Sequence, residues 1–309
     1  MIGVLGFRAM QHQPFKTEEL KAVLERSLGF CIKSLSRIGG GGAINFRVER
    51  ESDGFAFVVK CIPPENQQDG KRLMETLRVM EGVKTPVRVF DDACPRMFAD
   101  YMLLCLAWQE GTTIDPDRLT DRQWEAFLDD FLRLSERMQS IETMDRVHSL
   151  RDMWTAAHDA CRGLCGRLWR SVLDKMNVDD LDYRPELVRT VHGDFHKGNL
   201  LFEGGNLVCF LDLESLCKGY PTEDIAGLLM IAARRLGMAD HGRLRRLLSL
   251  FRQAVARLPY SALEWHTAIS ALYIRRLYRK TDCFRRMGPS AAFEIVARAR
   301  LVNLFRRQV

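Results

Sequence analysis

Apolar positions in the first third of the chain recur with two different spacings, which predict a mixture of strands and helices. Spacings of three and four residues favour an amphipathic helix, whereas short apolar runs with alternating positions favour strands. In one such run, Phe57 and Val59 face one way, whereas Val58 and Lys60 face the other. The predicted elements are helices at Thr17–Leu28, with Thr17 as N-cap, and at Asp69–Met80, and strands at Ala43–Glu49, Phe55–Ile62 and Tyr101–Leu106.

Helical spacing dominates after residue 111. Thr120 and Gln123 have the spacing of a capping box, and an apolar stripe from Trp124 to Leu132 follows them. One hairpin interrupts the helices, because the apolar runs Leu200–Phe202 and Leu207–Leu213 are joined by the turn sequence EGGN. We therefore expect an α+β protein with a small β-rich lobe at residues 1–107, a larger and mostly helical lobe at residues 108–309, and a hinge near residues 107–111.

Composition fits a folded protein with a large core, since 47% of the 309 residues are hydrophobic and 28% are charged. No apolar run reaches the ~18 residues that span a bilayer, and residues 1–10 lack the apolar stretch of a signal peptide. The nine cysteines are scattered and form no CxxC pair, which is typical of buried thiols in a reducing compartment. The sequence therefore predicts a cytoplasmic protein without a transmembrane segment, and it leaves the oligomeric state open.

Charge is distributed unevenly along the chain. The formal net charge is +6, but residues 225–309 contain 17 Lys and Arg against 4 Asp and Glu. The densest basic cluster consists of Arg275, Arg276, Arg279, Lys280, Arg285 and Arg286. Such a cluster is either a solvated helix face or a surface for an anionic partner, and it is also compatible with peripheral membrane contact.

The stretch most informative about chemistry is HGDFHKGN at residues 192–199, immediately before the predicted hairpin. Asp212 follows at the end of the second predicted strand, so the hairpin brings Asp194, Asn199 and Asp212 to one end. Two carboxylates and an amide oxygen are hard ligands of the kind that Mg²⁺ prefers. Phosphoryl transfer needs metal ions that neutralise phosphate charge and a carboxylate that accepts the hydroxyl proton.

These motifs resemble those of the aminoglycoside phosphotransferase and choline kinase family. The pattern HGDxHxxN is followed by a strand that ends in apolar-Asp-x-Glu, and then by Gly-x-Pro-x-x-Asp at residues 219–224. The resemblance covers roughly residues 30–230. It implies a two-lobed, protein-kinase-like fold and an ATP-dependent kinase that phosphorylates a hydroxyl group with the help of Mg²⁺.

By this resemblance, Asp194 is the catalytic base, and Asn199 and Asp212 are the metal ligands. His196 lies where it either contacts the transferred phosphate or positions the loop. His192 is expected to support the loop. Asp224 resembles the buried aspartate that hydrogen-bonds the catalytic-loop backbone in this family.

The first lobe is expected to bind the nucleotide. Gly40 and Gly41 belong to a run of four glycines that either cradles phosphates or forms a flexible turn. Lys60 matches the third-strand lysine of kinases and is expected to hold the α- and β-phosphates, unless it only ends an exposed strand. Glu75 is its expected partner, with a solvated helix face as the alternative and Glu81 as a substitute, and Val58 is expected to line the adenine pocket.

The acceptor is less clear from the sequence. The basic C-terminal region favours an anionic acceptor, such as a phosphosugar or a charged glycolipid, over the cationic aminoglycosides and amino alcohols that the resemblance suggests. An atypical protein kinase is disfavoured because only eleven residues separate Asp212 from Asp224. A nucleotide-binding pseudokinase would be expected to lack Lys60, Asp194 or Asp212, and all three are present. The absence of a recognisable stacking platform argues against nucleic acid.

Overall fold

The structure of the chain is a computed structural model, which describes residues 15–39, 43–90, 97–114, 118–143, 188–219, 224 and 240–257. The chain divides into two compact units, Met1–Glu110 and Gly111–Val309. Strands and helices occur together, so the predicted α+β class is confirmed. The assignment of nucleotide binding to residues 1–107 and of catalysis and acceptor binding to residues 108–309 stays a prediction.

The first unit is built on a five-stranded antiparallel sheet with the strand order β1-β2-β3-β5-β4. Its elements are α1 (Thr17–Leu28), β1 (Ile32–Ile38), β2 (Ile44–Arg50), β3 (Ala56–Ile62), α2 (Gln67–Val79), β4 (Met97–Phe98) and β5 (Tyr101–Ala107). The predicted elements of this unit are confirmed to within a few residues. Strand β1 was not predicted, because its sequence IKSLSRI does not alternate regularly between apolar and polar residues.

One face of this sheet forms the core of the unit. Phe46, Phe57 and Val59 are fully buried there, as the alternation along β3 predicts. Leu20 and Leu24 of α1 belong to the same buried cluster. Burying such side chains stabilises a fold by roughly 1.5–3 kcal/mol each relative to leaving them exposed.

Helix α1 begins and ends at the predicted residues, but its N-cap differs from the prediction. Gly29 adopts a left-handed backbone conformation (φ 73°), and its N–H donates to the Glu25 carbonyl, which closes the last turn. The prediction of Thr17 as N-cap was wrong. Lys16 occupies the cap position without a side-chain cap bond, and Thr17 is the first helical residue.

Helix α2 packs on the opposite face of the sheet at one end of β3 and β5. Gly70 allows this close approach, because a Cβ atom there would lie 2.7 Å from Cδ1 of Ile62 and 3.0 Å from Sδ of Met102. The same face of β3 carries Lys60, which is only 9% exposed. Burying a lysine on a sheet face is costly unless its charge is paired with a protein group or a ligand.

The second unit contains two helices and two small antiparallel sheets among its described residues. These elements are α3 (Asp121–Met138), β6 (Arg189–Val191), β7 (Leu200–Glu203), β8 (Asn206–Phe210), β9 (Cys217–Gly219) and α4 (His241–Ala256). The predicted hairpin is the pair β7–β8, whereas the pair β6–β9 was not predicted. Strand β8 ends at Phe210, so the prediction that Asp212 ends the strand was wrong by two residues.

Helix α3 presents the predicted apolar stripe to the interior. Trp124, Phe127 and Phe131 are buried, and the Trp124 ring lies 5.1 Å from Phe251 of α4. The predicted capping box is confirmed at the start of the helix, where the Thr120 side chain accepts from Gln123 N and the Gln123 side chain accepts from Thr120 N. None of the helices among the described residues combines the length and the apolar character that crossing a bilayer requires.

Replacing Thr120 with alanine should lower the free energy of unfolding by about 1 kcal/mol, because the Gln123 N–H loses its acceptor at the first turn of α3. Thr120→Ser keeps the hydroxyl and should stay close to the wild type. Urea denaturation monitored by circular dichroism measures both variants. Equal destabilisation by the two substitutions would contradict a capping role for the hydroxyl.

Candidate active site

The carboxylate of Asp224 accepts two hydrogen bonds from the backbone of the loop that follows β6. One oxygen, Oδ2, accepts from the backbone N–H of His192 at 2.7 Å, and the other, Oδ1, accepts from the N–H of Gly193 at 3.1 Å. Asp224 is 3% exposed, so these bonds form away from bulk water. Hydrogen bonds to an ionised acceptor are stronger than neutral ones, and the pair fixes the chain direction just before Asp194.

His192 ties the same loop to the segment that follows β8. Its imidazole is fully buried, and Nε2 lies 2.7 Å from the Leu211 carbonyl oxygen. A carbonyl can only accept, so Nε2 carries the proton and donates. The segment that leads into Asp212 is thereby linked to the segment that leads into Asp194, which agrees with the expected supporting role of His192.

Gly193 occupies a position that has no room for a side chain. Its φ is 77°, and a Cβ atom would lie 2.7 Å from both the Ser215 carbonyl oxygen and Sγ of Cys217. The conformation and the space therefore require glycine at this point of the HGD motif. This close approach seats the loop against the start of β9.

Phe195 anchors the loop to the core of the second unit. Its ring is buried and lies 5.2 Å from Phe131 of α3, 5.2 Å from the His192 imidazole and 5.8 Å from Phe210 of β8. Residues on either side of Phe195 are turned the other way, and both Asp194 and His196 are partly exposed. Phe195 was not predicted as an anchor, although a large apolar residue inside a polar motif is the signal that could have identified it.

Asn199 and Asp212 lie at the open end of the β7–β8 hairpin. The Leu211 N–H donates to the Asn199 carbonyl at 2.8 Å, which joins the chain just before β7 to the chain just after β8. The Asn199 side chain is buried, and its Nδ2 donates to the Asp194 carbonyl at 2.9 Å. Asp212 has a left-handed backbone (φ 63°, ψ 43°), rare for a residue with a side chain, and it begins the 3-10 turn Leu213–Ser215.

This donor set fits Mg²⁺. Because the amide nitrogen of Asn199 is engaged by the Asp194 carbonyl, its Oδ1 oxygen is the atom left to face a cation. The Asp212 carboxylate supplies a second hard oxygen. No group of three or more His, Cys, Asp or Glu suited to a metal occurs among the described residues. Two protein oxygens suit Mg²⁺, which usually takes its remaining ligands from phosphates and water.

His196 is oriented by its own turn. Its Nδ1 accepts from the Gly198 N–H at 3.0 Å, which directs Nε2 towards Asp194 Oδ2 at 3.6 Å. The Asp194 carboxylate, and more weakly Asp212, raise the pKa of the His196 imidazole above its usual value, although partial burial acts against them. Because Nδ1 accepts a hydrogen bond, the proton of the neutral imidazole lies on Nε2, the nitrogen that faces the predicted base.

The first unit holds three of the predicted nucleotide-binding residues. Lys60 and Val58 lie on the same face of β3, opposite Leu104 and Leu106 of β5, respectively. Glu75 is exposed on α2, so its partnership with Lys60 stays a prediction. Gly40 and Gly41, like the cluster of residues 275–286, lie outside the described residues.

Gln139, just beyond α3, is a further supporting residue that the sequence analysis missed. Its side-chain nitrogen donates to the Thr190 carbonyl at 3.1 Å, and its side-chain oxygen accepts from the Thr190 N–H at 3.3 Å. The amide therefore binds β6 as a neighbouring strand would, two residues before the HGD motif. No local sequence signal identifies such a contact, because its partners are 51 positions apart.

Comparison with known proteins shows that the chain matches a protein family and several solved structures. A sequence model described as the phosphotransferase enzyme family matches residues 34–259. No curated protein matches the sequence significantly. Among solved structures, the chain is similar to the aminoglycoside phosphotransferase APH(3'')-Id from Streptomyces rimosus, with 17% identity over 85% of this chain and 99% of that chain and a TM-score of 0.53.

Two further structures extend this similarity. The macrolide 2'-phosphotransferase MphH from Brachybacterium faecium shares 14% identity over 91% of this chain and 97% of that chain, with a TM-score of 0.58. A mutant of the aminoglycoside phosphotransferase APH(4)-Ia, in complex with AMP-PNP and hygromycin B, shares 13% identity over 92% and 97%, with a TM-score of 0.58. At these identities the similarity concerns the fold, which agrees with the kinase-like fold that the motifs predict.

Replacing Asp224 with asparagine should loosen the loop, because one amide N–H would then face a backbone N–H in the interior. We expect the free energy of unfolding to fall by about 2–3 kcal/mol. The amides of His192 and Gly193 should exchange hydrogen faster than in the wild type. Asp240→Asn, an exposed site in the same unit, is the control, and unchanged protection of both amides in Asp224→Asn would contradict the role assigned to the carboxylate.

Replacing Asp194 with asparagine should lower the pKa of His196 towards the ordinary imidazole value of about 6.5, because the neighbouring negative charge is removed. Protonated His196 should therefore deprotonate at lower pH in the variant. NMR titration of the imidazole Cε1–H resonance measures the shift. An identical titration in wild type and variant would mean that Asp194 does not interact electrostatically with His196.

Proposed function

The chain belongs to the phosphotransferase enzyme family, and from this premise we propose that it transfers the γ-phosphate of ATP to a hydroxyl group of a small molecule or glycan. The observation that carries this proposal is the arrangement around the β7–β8 hairpin. There, the Asn199 side chain donates to the Asp194 carbonyl, and the Asn199 carbonyl accepts from the N–H of Leu211, the residue before Asp212. Phosphoryl transfer depends mainly on positioning and charge neutralisation, which such an arrangement can supply.

In this proposal, Asp194 accepts the proton of the acceptor hydroxyl. Its carboxylate is partly exposed, so an acceptor can approach it, while its backbone carbonyl is fixed by the Asn199 side chain. His196 lies beside this carboxylate and stabilises its negative charge before the reaction. The anchoring of Phe195 in the core keeps Asp194 from turning away.

Asn199 Oδ1 and the Asp212 carboxylate hold the metal. A bound Mg²⁺ supplies positive charge to the phosphate oxygens and orients the phosphates for transfer. The hydrogen bond from Leu211 N to the Asn199 carbonyl fixes the two ligand-bearing segments relative to each other. His192 reinforces the same link through the Leu211 carbonyl.

Lys60 binds the phosphates of the nucleotide. Its place on the largely buried inner strand β3 gives it a defined position, and its positive charge is complementary to polyphosphate. ATP as the donor is supported by two neighbours of similar fold, one in complex with AMP-PNP and one in complex with ADP. Glu75, Gly40 and Gly41 complete the nucleotide contacts that the motifs suggest.

For the acceptor, we propose an anionic sugar or an anionic glycolipid. The support is the excess of basic residues after position 224. Part of that excess is engaged within the unit, because Arg246 lies 3.2 Å from Asp121 and Arg257 pairs with Asp129, which links α4 to α3. The cluster of residues 275–286 contains a single acidic residue, Asp282, so its sequence carries a positive charge that is complementary to an anion.

An aminoglycoside is the second candidate. It is favoured by neighbours that were crystallised with hygromycin B or streptomycin. A protein substrate is less well supported, because the eleven residues between Asp212 and Asp224 leave little room for an activation segment.

Replacing Asp194 with alanine should reduce kcat by roughly 10²–10⁴-fold and leave the affinity for Mg·ATP nearly unchanged, because a general base acts in the transition state. Asp212→Ala should instead weaken Mg·ATP binding. Asp121→Ala removes a carboxylate from the start of α3 and serves as control. Full turnover by Asp194→Ala with a genuine acceptor would show that the base is another group.

Phosphorylation of an anionic acceptor should be more efficient than that of a cationic one, and kcat/KM should fall with ionic strength because salt screens the attraction. A screen with ATP labelled at the γ-phosphate, over phosphosugars, glycolipids, amino alcohols and aminoglycosides at low and high salt, measures this. Efficient, salt-insensitive phosphorylation of an aminoglycoside would exclude the anionic acceptor and favour the second candidate.

A further inference from the structure

A row of side chains crosses the sheet of the first unit on the same face as Lys60. The antiparallel register places Arg47 of β2 opposite Val58 of β3, and Val58 opposite Leu106 of β5. Residues directly opposite each other project from the same face of a sheet. The row therefore has an apolar centre, Val58 and Leu106, with a guanidinium at one side.

The row of Lys60 lies next to this one along β3. Asn45, Lys60 and Leu104 are its members. Two residues along a strand correspond to roughly 7 Å. At the far end of β3, the same face is covered by α2, which packs on Ile62 and Met102 through Gly70. Arg47, Val58 and Trp108 keep intermediate exposure at the other end.

The Arg47 guanidinium rests on the indole of Trp108, with Cζ 5.1 Å from the ring centroid. Trp108 is itself fixed, because its backbone N–H donates to the Ala56 carbonyl at 3.2 Å and its Nε1 donates to Glu110 at 2.8 Å. Glu49 adds a longer contact to Arg47 at 3.4 Å, while its other oxygen holds Lys33 at 2.6 Å. The indole is thus a rigid support that sets the plane of the guanidinium.

We propose that Arg47, stacked on Trp108, is a binding residue for the purine base of the donor nucleotide. Val58 and Leu106 contact the face of the base, and the guanidinium plane of Arg47 extends that surface at its edge. The inference rests on the proposed function, since it takes the polyphosphate to lie at Lys60. It adds a base-binding role for Arg47 and a supporting role for Trp108, both of which lie outside the motifs that identify the family.

The chemistry of the row matches a purine better than it matches a phosphate or an acceptor sugar. A purine needs a flat, largely apolar surface, and an arginine guanidinium stacks on aromatic planes as a lysine ammonium does not. The spacing also fits, because the ribose separates the base of a nucleotide from its phosphates by about the distance between the two rows. A support that is already ordered reduces the entropy lost when the base binds.

The test is calorimetric titration of the full chain with Mg·AMP-PNP and, in competition, with magnesium tripolyphosphate, which has the phosphates without the base. Arg47→Ala should weaken AMP-PNP binding roughly 5- to 100-fold, the range for losing one stacking partner. Its affinity for tripolyphosphate should stay within twofold of the wild type. Arg47→Lys should lose nearly as much AMP-PNP affinity as Arg47→Ala. Lysine keeps the positive charge but has no planar guanidinium that can stack on the base.

Arg37→Ala is the matched control, because it removes the same charge from β1 at a position opposite Phe46, on the other face of the sheet. It should bind AMP-PNP as the wild type does. The inference is overturned if Arg47→Ala binds AMP-PNP within twofold of the wild type, if Arg47→Lys restores full affinity, or if tripolyphosphate binding falls equally. A wild-type chain that binds neither ligand would instead overturn the proposed function, and this inference with it.

Discussion

Two backbone N–H groups at the start of the loop that follows β6 point into the interior, where the Asp224 carboxylate accepts hydrogen bonds from both. An unpaired N–H in the interior costs on the order of 1–3 kcal/mol, so a loop that enters the core in this way needs an acceptor placed beneath it. The Asp224 carboxylate accepts hydrogen bonds from both N–H groups and is itself buried. The positions of Gly193, Asp194 and Phe195 all depend on this anchoring, since they follow it directly in the chain.

The remaining features of the second unit act on the same short segments. The His192 imidazole and the Leu211 N–H tie the loop to the hairpin, and Gln139 holds the strand that leads into it. Phe195 joins the loop to the aromatic interior of α3. Polar side chains are thus oriented by contacts that are mostly backbone hydrogen bonds and ring packing. Such contacts leave little freedom for Asp194 and Asn199, which is what a phosphoryl-transfer site requires.

Local patterns in the sequence were sufficient to predict most of the elements around the candidate site. The hairpin turn, the capping box of α3 and the HGDFHKGN motif are contiguous signals, and their elements lie within a few residues of the predicted positions. Features that depend on distant partners could not be predicted. The pair β6–β9 joins strands of three residues each, too short for any periodicity. The contact of Arg47 with Trp108 depends on the register of three strands, and the left-handed conformation of Asp212 has no signal of its own.

All the groups placed at the hairpin, from His192 to Asp224, come from one continuous stretch of about a tenth of the chain. Their mutual positions are set mainly within that stretch and by the helix beneath it. Substitutions elsewhere, other than at Lys60, at Gln139 and at the α3 side chains that pack on Phe195, can therefore accumulate without disturbing this arrangement. A lineage that carries such a segment is free to change its substrate by remodelling other helices, so divergence in specificity needs no intermediate that has lost activity.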